Sequence, residues 1–422
     1  MKIAHLVSNY HPSVGGTQIF YKGISENCVS IYKDEVEVLT LDSYYGSHSN
    51  TYKKIIPAQE TINGVSIKRF SFFRNYRFWL SLLHKVIIKS TGKTVAHFER
   101  YNIGPWSPSL KKAIDTTNAD VISASSSSFL YMLYPLYRKK LANPKPFVFQ
   151  GAIHFADNEH GQVVADKTLE AIKASEYYMC NTQYEKERLV ALGVENDMIV
   201  VAGVAVDMEE FKNGSRTKFR LKFQLNNENV LVGYIGRLVA TKSIDVLINA
   251  FIIAYNQNNN IRLLIAGFES NYVQQLNDII ENIEPKYSKN IFIELNISNT
   301  DKINLYHALD IFVLPSVNES FGIVFLEAWS CKKPVIGTAI GAIKSVVSHE
   351  VDGLLMKPFD VNSLSENILT LSNNEELRLI YGNNGFIKTQ KNYTWEIVTK
   401  KYRDTYVLAI EKFKIKTRHY NN

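Results

Sequence analysis

The sequence predicts an α/β protein of two domains, each built on a parallel sheet, and three observations carry that prediction. Strand-like apolar runs alternate with helix-like amphipathic runs from end to end, the pattern of parallel strands joined by crossover helices. The chain has 422 residues, 45% hydrophobic and 21% charged, too many for one ordinary core and suited to two of about 200 residues each. A polar stretch, "KNGSRTKF" (212–219), interrupts the alternation near the midpoint.

The strand-like runs of the first half are "KIAHLVS", "EVEVLTL", "VSIKRFSF", "ADVISAS", "KPFVFQGAIH", "YYMCNT" and "MIVVAGV". Those of the second half are "VLVGYIGR", "IRLLIAG", "IFIEL", "DIFVLPS", "PVIGT" and "DGLLMKP", separated by helical patterns such as "SIDVLINAFIIAYNQ". The expected domains are residues 1–205 and 206–394. A terminal helix over about 395–422, "TWEIVTKKYRDTYVLAIEKFK" onward, is free to pack back on the first. The "SASSSS" tract at 123–128 is expected to be a strand end and loop.

No window approaches the ~18 to 20 uninterrupted apolar residues of a membrane span, and the N-terminus has no cleavage pattern, so a cytoplasmic protein is expected. Cys28, Cys180 and Cys331 are odd in number and far apart, which suggests reduced core thiols and neither a disulfide framework nor a zinc site. A net charge of +7 is modest for the size and argues against a nucleic-acid binder. Its distribution is uneven. Lys68, Arg69, Arg74, Arg77, Lys85, Lys89 and Lys93 fall within residues 61–98, which hold no acid.

Chemistry-bearing groups concentrate in the second half. In "VLVGYIGRLVATKSIDVLINAF" a buried strand ends at Gly236 and Arg237, a short loop carries Lys242, and a helix begins near Ser243. Ligands of open α/β sheets sit at the carboxyl ends of strands, so two cations emerging there beside a helix N-terminus suit a phosphate. The spacing is neither a Walker A loop nor G-x-G-x-x-G. The plainer reading makes both cations solvated loop residues. A second stretch, "NESFGIVFLEAWSCKKPVIGT" (318–338), places Glu319 at or before a helix start and Glu327 inside the helix. At ~100° per residue they stand roughly 80° apart around a continued axis, able to address two parts of one extended ligand. The amides of Phe321, Gly322 and Ile323 lie between them. The plainer alternative has Asn318 or Ser320 capping the helix and Glu319 complementing its dipole, but it leaves Glu327 without a purpose.

Taken together, "GRLVATKSID" and "ESFGIVFLE" resemble the nucleotide-sugar half of retaining GT-B glycosyltransferases of the glycosyltransferase family four (glycosyl transferases group 1) type. The likeness extends to "LYHALDIFVLPS", "PVIGTAIGAIKSVVSHEVDGLLMKPFD" and "YTWEIVTKKY", and thus covers nearly all of residues 230–410. It is weaker in the first half, where "MKIAHLVSNYHPSVGGTQ" matches a first strand with a Gly-Gly loop and "FVFQGAIH" a strand ending in His154. The implied fold is the GT-B architecture, two Rossmann-like domains facing across a cleft. Arg237 and Lys242 would bind the donor diphosphate, and Glu327 the ribose hydroxyls. Glu319 would hold the donor sugar, with the backbone of Ser320, Phe321, Gly322 and Ile323 on sugar and phosphate. Gly15 and Gly16 would bring the first domain's backbone to the diphosphate and acceptor, and His154 would sit beside the reacting sugar. The implied catalytic set is His154, Glu319, Arg237 and Lys242. The chain departs from the family at "GVAVD" (203–207), where Asn-Gly-Val-Asp is frequent, and at "GAIKS" (341–345), where Gly-Gly-x-Pro-Glu is common.

The implied activity is metal-independent, retaining transfer of a sugar from a nucleoside-diphosphate sugar to a glycan or lipid-linked acceptor, as in bacterial surface polysaccharide assembly, with no further cofactor. Fixed cations and helix amides aimed at a departing diphosphate do the work of a divalent ion. A nucleotide-sugar epimerase of the same architecture and a non-catalytic sugar-nucleotide binder are the alternatives. A glycoside hydrolase using Glu319 and Glu327 leaves Arg237 and Lys242 unexplained. Residues 68–93 suggest a further partner, an anionic membrane surface at the inner face of the cell membrane. In "FRNYRFWLSLLHKVIIK", Arg74, Arg77, Ser81, Lys85 and Lys89 follow one helical stripe and Tyr76, Trp79, Leu80, Leu83, Val86 and Ile87 another. The favoured expectation is that the apolar stripe packs on the first sheet and the basic one faces out.

Overall fold

A computed structural model of the chain describes residues 1–13, 15–44, 53–73, 76–92, 106–125, 130–151, 153 and 166–421. Ten strands belong to the first half: β1 (Lys2–Val7), β2 (Glu35–Leu41), β3 (Ser43–Tyr44), β4 (Lys53–Lys54), β5 (Gln59–Ile62), β6 (Val65–Phe70), β7 (Val121–Ser125), β8 (Phe147–Gln150), β9 (Tyr177–Cys180) and β10 (Ile199–Val201). Six belong to the second: β11 (Val230–Ile235), β12 (Ile261–Gly267), β13 (Ile291–Leu295), β14 (Ile311–Leu314), β15 (Val335–Thr338) and β16 (Gly353–Met356).

The first sheet has eight strands in the order β10-β9-β8-β7-β1-β2-β6-β5. β1 lies between β2 and β7, with Ile3 opposite Val36 on one side and Val121 on the other. Alternation along β1 divides the core: Ala4 and Leu6 join one apolar cluster with Ile122, Phe147 and Tyr178, while Ile3 and Val7 join another with Ile24, Cys28 and Val38. Both faces are covered, as parallel sheets require. The edge strand β5 runs antiparallel to β6, and β3 pairs with β4 in a separate antiparallel ribbon; neither departure from the parallel pattern is apparent in these short, polar sequences. The final helix, Trp395–Asn421, returns to the first sheet. Val398, Tyr402, Tyr406 and Ala409 join the cluster of Ile3 and Val7, and Arg403 Nε donates to Asp34 at 2.8 Å.

The second sheet is parallel throughout, in the order β13-β12-β11-β14-β15-β16. The strand order therefore reverses between β11 and β14, which opens a crevice at their carboxyl ends. The outgoing and returning connections between the halves lie side by side, with the Val206 N–H donating to the Tyr393 carbonyl at 2.9 Å and Val206 bridging Thr394. All three cysteines are free and buried.

The basic segment does not form one face. Arg69 is buried on β6, ion-paired with Glu60 and donating to the carbonyls of His11 and Pro57, and Lys68 on the same strand pairs with Glu37 at 2.7 Å. Both were expected in the outward basic patch; alternation along a strand sends successive side chains to opposite sides, and each found an acid on a neighbouring strand. The helix that follows, Tyr76–Thr91, corrects the expectation for its apolar stripe as well, because Leu83 and Val86 are exposed.

Candidate donor site

β11 leaves the sheet at Gly236, whose N–H still donates to Ala266 of β12 at 3.0 Å. The chain here passes so close to β12 that a Cβ at Gly267 would lie 2.0 Å from the Gly236 carbonyl oxygen, so position 267 admits only glycine. Buried Tyr234 donates its phenol to the Arg237 carbonyl at 2.7 Å and fixes the turn. Burial, with the nearby Glu319 carboxylate adding to it and Arg237 opposing, raises the Tyr234 phenol well above its ordinary value. The Arg237 side chain is exposed; Lys242, after a single 3-10 turn (Ala240–Lys242), is buried. An open hollow of about 440 Å³ lies beside this loop, lined by Val239, Ala240, Ser270, Asn271, Tyr272 and Gln275.

Lys242 finds its partner across the reversal: its ammonium pairs with Glu319, in the exit loop of β14. The two side chains are only 10% and 13% exposed, so each charge depends on the other for compensation. Ser316 Oγ donates to the Thr241 carbonyl at 3.3 Å and ties the same two loops together.

The helix Ile323–Ser330 starts from Gly322, which has φ 87°. That left-handed conformation favours glycine, and a Cβ here would also meet the Phe325 ring at 2.8 Å. No side chain caps this helix, so the plainer alternative, a cap from Asn318 or Ser320, is not formed. Its first amides lie behind the Lys242–Glu319 pair in sequence with no side-chain acceptor of their own. Phe321 is buried edge-on against Tyr393, which anchors the loop.

Glu327, on the helix, belongs to a separate constellation. One oxygen accepts from Lys302 Nζ and the other from the Tyr306 phenol, each at 2.8 Å. Burial, reinforced by the Glu327 charge, holds the Tyr306 phenol far above its ordinary value, so it serves as a donor. Glu319 and Glu327 thus point to different partners. The estimate of their angle around one axis does not apply, because the helix begins only after Glu319.

In the first half, Gly15 precedes the helix Gly16–Tyr32, which also lacks a side-chain cap, and a Cβ at Gly16 would meet nothing within 4 Å. His154 lies outside the described residues; the strand β8 that leads to it ends at Gln150. The structure brings Lys242 together with Glu319, and Arg237 and Ser320–Ile323 lie on the same two loops. Lys302, Tyr306, Ser316 and Thr241 escaped sequence reasoning. The i, i+4 spacing of Lys302 and Tyr306 on the helix Asn299–Ala308 was the one available signal, since it puts both on one face. Among the described residues, no group of three or more His, Cys, Asp or Glu is placed to hold a metal ion.

Comparison with known proteins bears on the family and the fold. The family model described as Glycosyl transferases group 1 matches residues 215–388. A D-inositol 3-phosphate glycosyltransferase of Saccharomonospora viridis is 26% identical over 260 residues, and the capsular polysaccharide biosynthesis glycosyltransferase CapM of Staphylococcus aureus 30% identical over 219. The matches cover 58% and 51% of this chain and span just over half of those relatives, 58% and 56% of their lengths. An uncharacterized glycosyltransferase of Methanocaldococcus jannaschii is 24% identical across 97% of this chain and 99% of its own. Among solved structures, Anabaena HepE in complex with UDP superimposes with a TM-score of 0.69 at 18% identity, covering 96% of this chain and 99% of that one. Residues 215–388 thus match the glycosyl transferases group 1 model, and the two sheets have the GT-B fold.

Proposed function

We infer that the protein transfers a sugar, with retention of anomeric configuration, from a nucleoside-diphosphate sugar to a glycan or lipid-linked acceptor. The observation that carries this reading is the meeting of Lys242 and Glu319 at the strand reversal, on the same loop as an uncapped helix N-terminus. An ammonium has three donors. One is taken by Glu319, leaving two for a diphosphate that Arg237 reaches from the open side and the helix amides from the other. Glu319 keeps a second oxygen for a sugar hydroxyl. Glu327 uses one lone pair on each oxygen for Lys302 and Tyr306, and a carboxylate offers about four, so both hydroxyls of a ribose can be accepted.

In the reaction the bond from the anomeric carbon to the β-phosphate oxygen breaks, and negative charge gathers on the diphosphate as the carbon becomes cation-like. Arg237, Lys242 and the amides stabilise that charge. The acceptor hydroxyl attacks from the face the diphosphate leaves, and its proton passes to the departing phosphate oxygen, so no carboxylate base and no metal ion is required. The UDP held by HepE and the capsular polysaccharide biosynthesis named for CapM support a nucleotide donor and a place in surface polysaccharide assembly.

A thermal-shift panel of UDP-, GDP- and ADP-sugars tests the reading, because a ligand that binds only the native state raises the melting temperature. One base series should give a clear increase, and donor with acceptor should then give a glycoside of retained configuration. No shift with any nucleoside diphosphate would overturn the assignment. Conversion of the sugar without acceptor would make the protein an epimerase, and binding without turnover a sensor.

A further inference from the structure

The helix Tyr76–Thr91 presents an unusual surface. Leu82, Leu83, Val86 and Ile88 are 44%, 54%, 55% and 37% exposed, while His84 and Ile87 are half-buried. Lys85 and Lys89 are exposed too, and their i, i+4 spacing sets them one above the other along one flank. At ~100° per residue, Leu82 and Val86 lie nearly opposite the His84–Ile87 side, with the lysines to one side and Leu83 to the other. An apolar ridge thus stands outward beside a basic one. Ahead of the helix, Phe73 stacks on Trp106 with centroids 5.2 Å apart, and its N–H donates to the Trp106 carbonyl at 3.0 Å. Both rings are half-exposed, at 54% and 50%. No acidic residue occurs anywhere in residues 61–98.

We propose that this helix, with the Phe73–Trp106 stack, docks on an anionic lipid bilayer, the ridge of Leu82, Leu83 and Val86 entering the headgroup boundary and Lys85 and Lys89 pairing with lipid phosphates. Three features select that occupant. Apolar and basic ridges side by side on an outward face are what an interfacial helix requires. Stacked aromatic rings at one end suit the headgroup level, where aromatic side chains concentrate. The complete lack of acid over the segment matches a negative surface and would be adverse to few others. Lys68 and Arg69 take no part, being paired on β6. The basic C-terminus does not extend the surface: Lys412 lies over the Tyr177 ring on β9, with β8, β7, β1 and β2 between it and β6. Docking deepens the proposed function by bringing the chain to a lipid-linked acceptor, yet it stands on different residues from the donor site.

Vesicle sedimentation of the full chain tests it. Vesicles containing phosphatidylglycerol should pull the protein down, pure phosphatidylcholine vesicles should do so far less, and added salt should release it. Lys85→Ser with Lys89→Ser should weaken binding roughly 30-fold, following the usual contribution of a cation at an anionic surface. Leu83→Ser with Val86→Ser should weaken it about 10-fold or more while the remaining binding keeps its salt dependence. These positions are exposed, so nucleoside-diphosphate binding in solution should not change in either variant. Equal binding to both vesicle types, or none to either, overturns the proposal. So does concentration-dependent dimerisation without lipid that Leu83→Ser with Val86→Ser abolishes, since a second copy would then be the occupant. Failure of nucleotide binding with docking intact would count against the donor site alone.

Discussion

The two sheets reverse strand order in the same way, between β1 and β7 in the first and between β11 and β14 in the second, yet their carboxyl edges differ in chemistry. The second carries two ion pairs joining its exit loops and helices, Lys242 with Glu319 and Lys302 with Glu327. The first carries glycines 15 and 16 and neutral amides beside a buried carboxylate, Glu185, which accepts from the Asn181 and Ile153 N–H groups. Gln150 closes β8 and Asn181 follows β9; both are buried, and Gln150 Oε1 and Asn181 Oδ1 have no hydrogen-bond partner among the described residues. A buried polar atom left unpaired is costly unless something pairs with it. Under the proposed function, the paired charges of the second edge would suit a diphosphate and the amide oxygens of the first a polyhydroxyl acceptor.

Four outcomes break or sharpen that contrast. Lys242→Ala and Arg237→Ala should each reduce turnover by roughly 10² to 10³, the usual cost of removing one group that stabilises developing charge. They should differ in stability: Arg237 is exposed and its loss should leave the melting temperature unchanged, whereas Lys242→Ala strands a mostly buried Glu319 and should cost about 1–3 kcal/mol. Calorimetric scans of both variants separate the two effects.

On the first sheet, His5 is fully buried between Ser25 Oγ at 2.7 Å and the Tyr406 phenol at 3.1 Å, and burial lowers its pKa from 6.5 to about 3. The unfolded chain binds that proton more readily, so stability should fall as pH drops below 6.5, by up to about 1.4 kcal/mol per pH unit. Urea unfolding over a pH series checks the slope, and His5→Asn should flatten it. Gln150→Leu should raise the KM for acceptor about tenfold, as for loss of a hydrogen bond at a buried site, and leave donor KM alone. Tyr306→Phe removes one of the groups that orient Glu327. Donor affinity should fall by about 1 kcal/mol, read by calorimetric titration, with turnover at saturation nearly intact.

Much of this was legible in the sequence because it is local. The strand-like runs of both halves correspond to the long strands of the two sheets, since fully buried strands read as continuous apolar segments. "GRLVATK" and "ESFGIVFLE" were identifiable as candidate site stretches because glycines, cations and acids fall at strand exits. The illegible parts depend on partners far away in the chain. Lys242 and Glu319 are 77 positions apart, and nothing local says that one neutralises the other. Arg69 looked like surface charge until Glu60 and the carbonyls of His11 and Pro57 enclosed it. The helix begins at Ile323, where the sequence places it, but it starts from a left-handed Gly322 and not from a side-chain cap. The ridge of Leu82, Leu83 and Val86 shows that amphipathic spacing identifies a helix without saying what covers its apolar side.

The central claim is that the donor diphosphate is held at the β11–β14 reversal and not at the first sheet. Calorimetric titration of the preferred nucleoside diphosphate into three proteins tests it most directly: wild type, Arg237→Ala with Lys242→Ala, and Gln150→Leu with Asn181→Leu. Wild type and the first-sheet variant should bind alike, and the second-sheet variant should bind at least about 100-fold more weakly, as expected for losing two charged hydrogen-bond donors. Undiminished binding by the second-sheet variant, or a comparable loss in the first-sheet variant, would contradict the account.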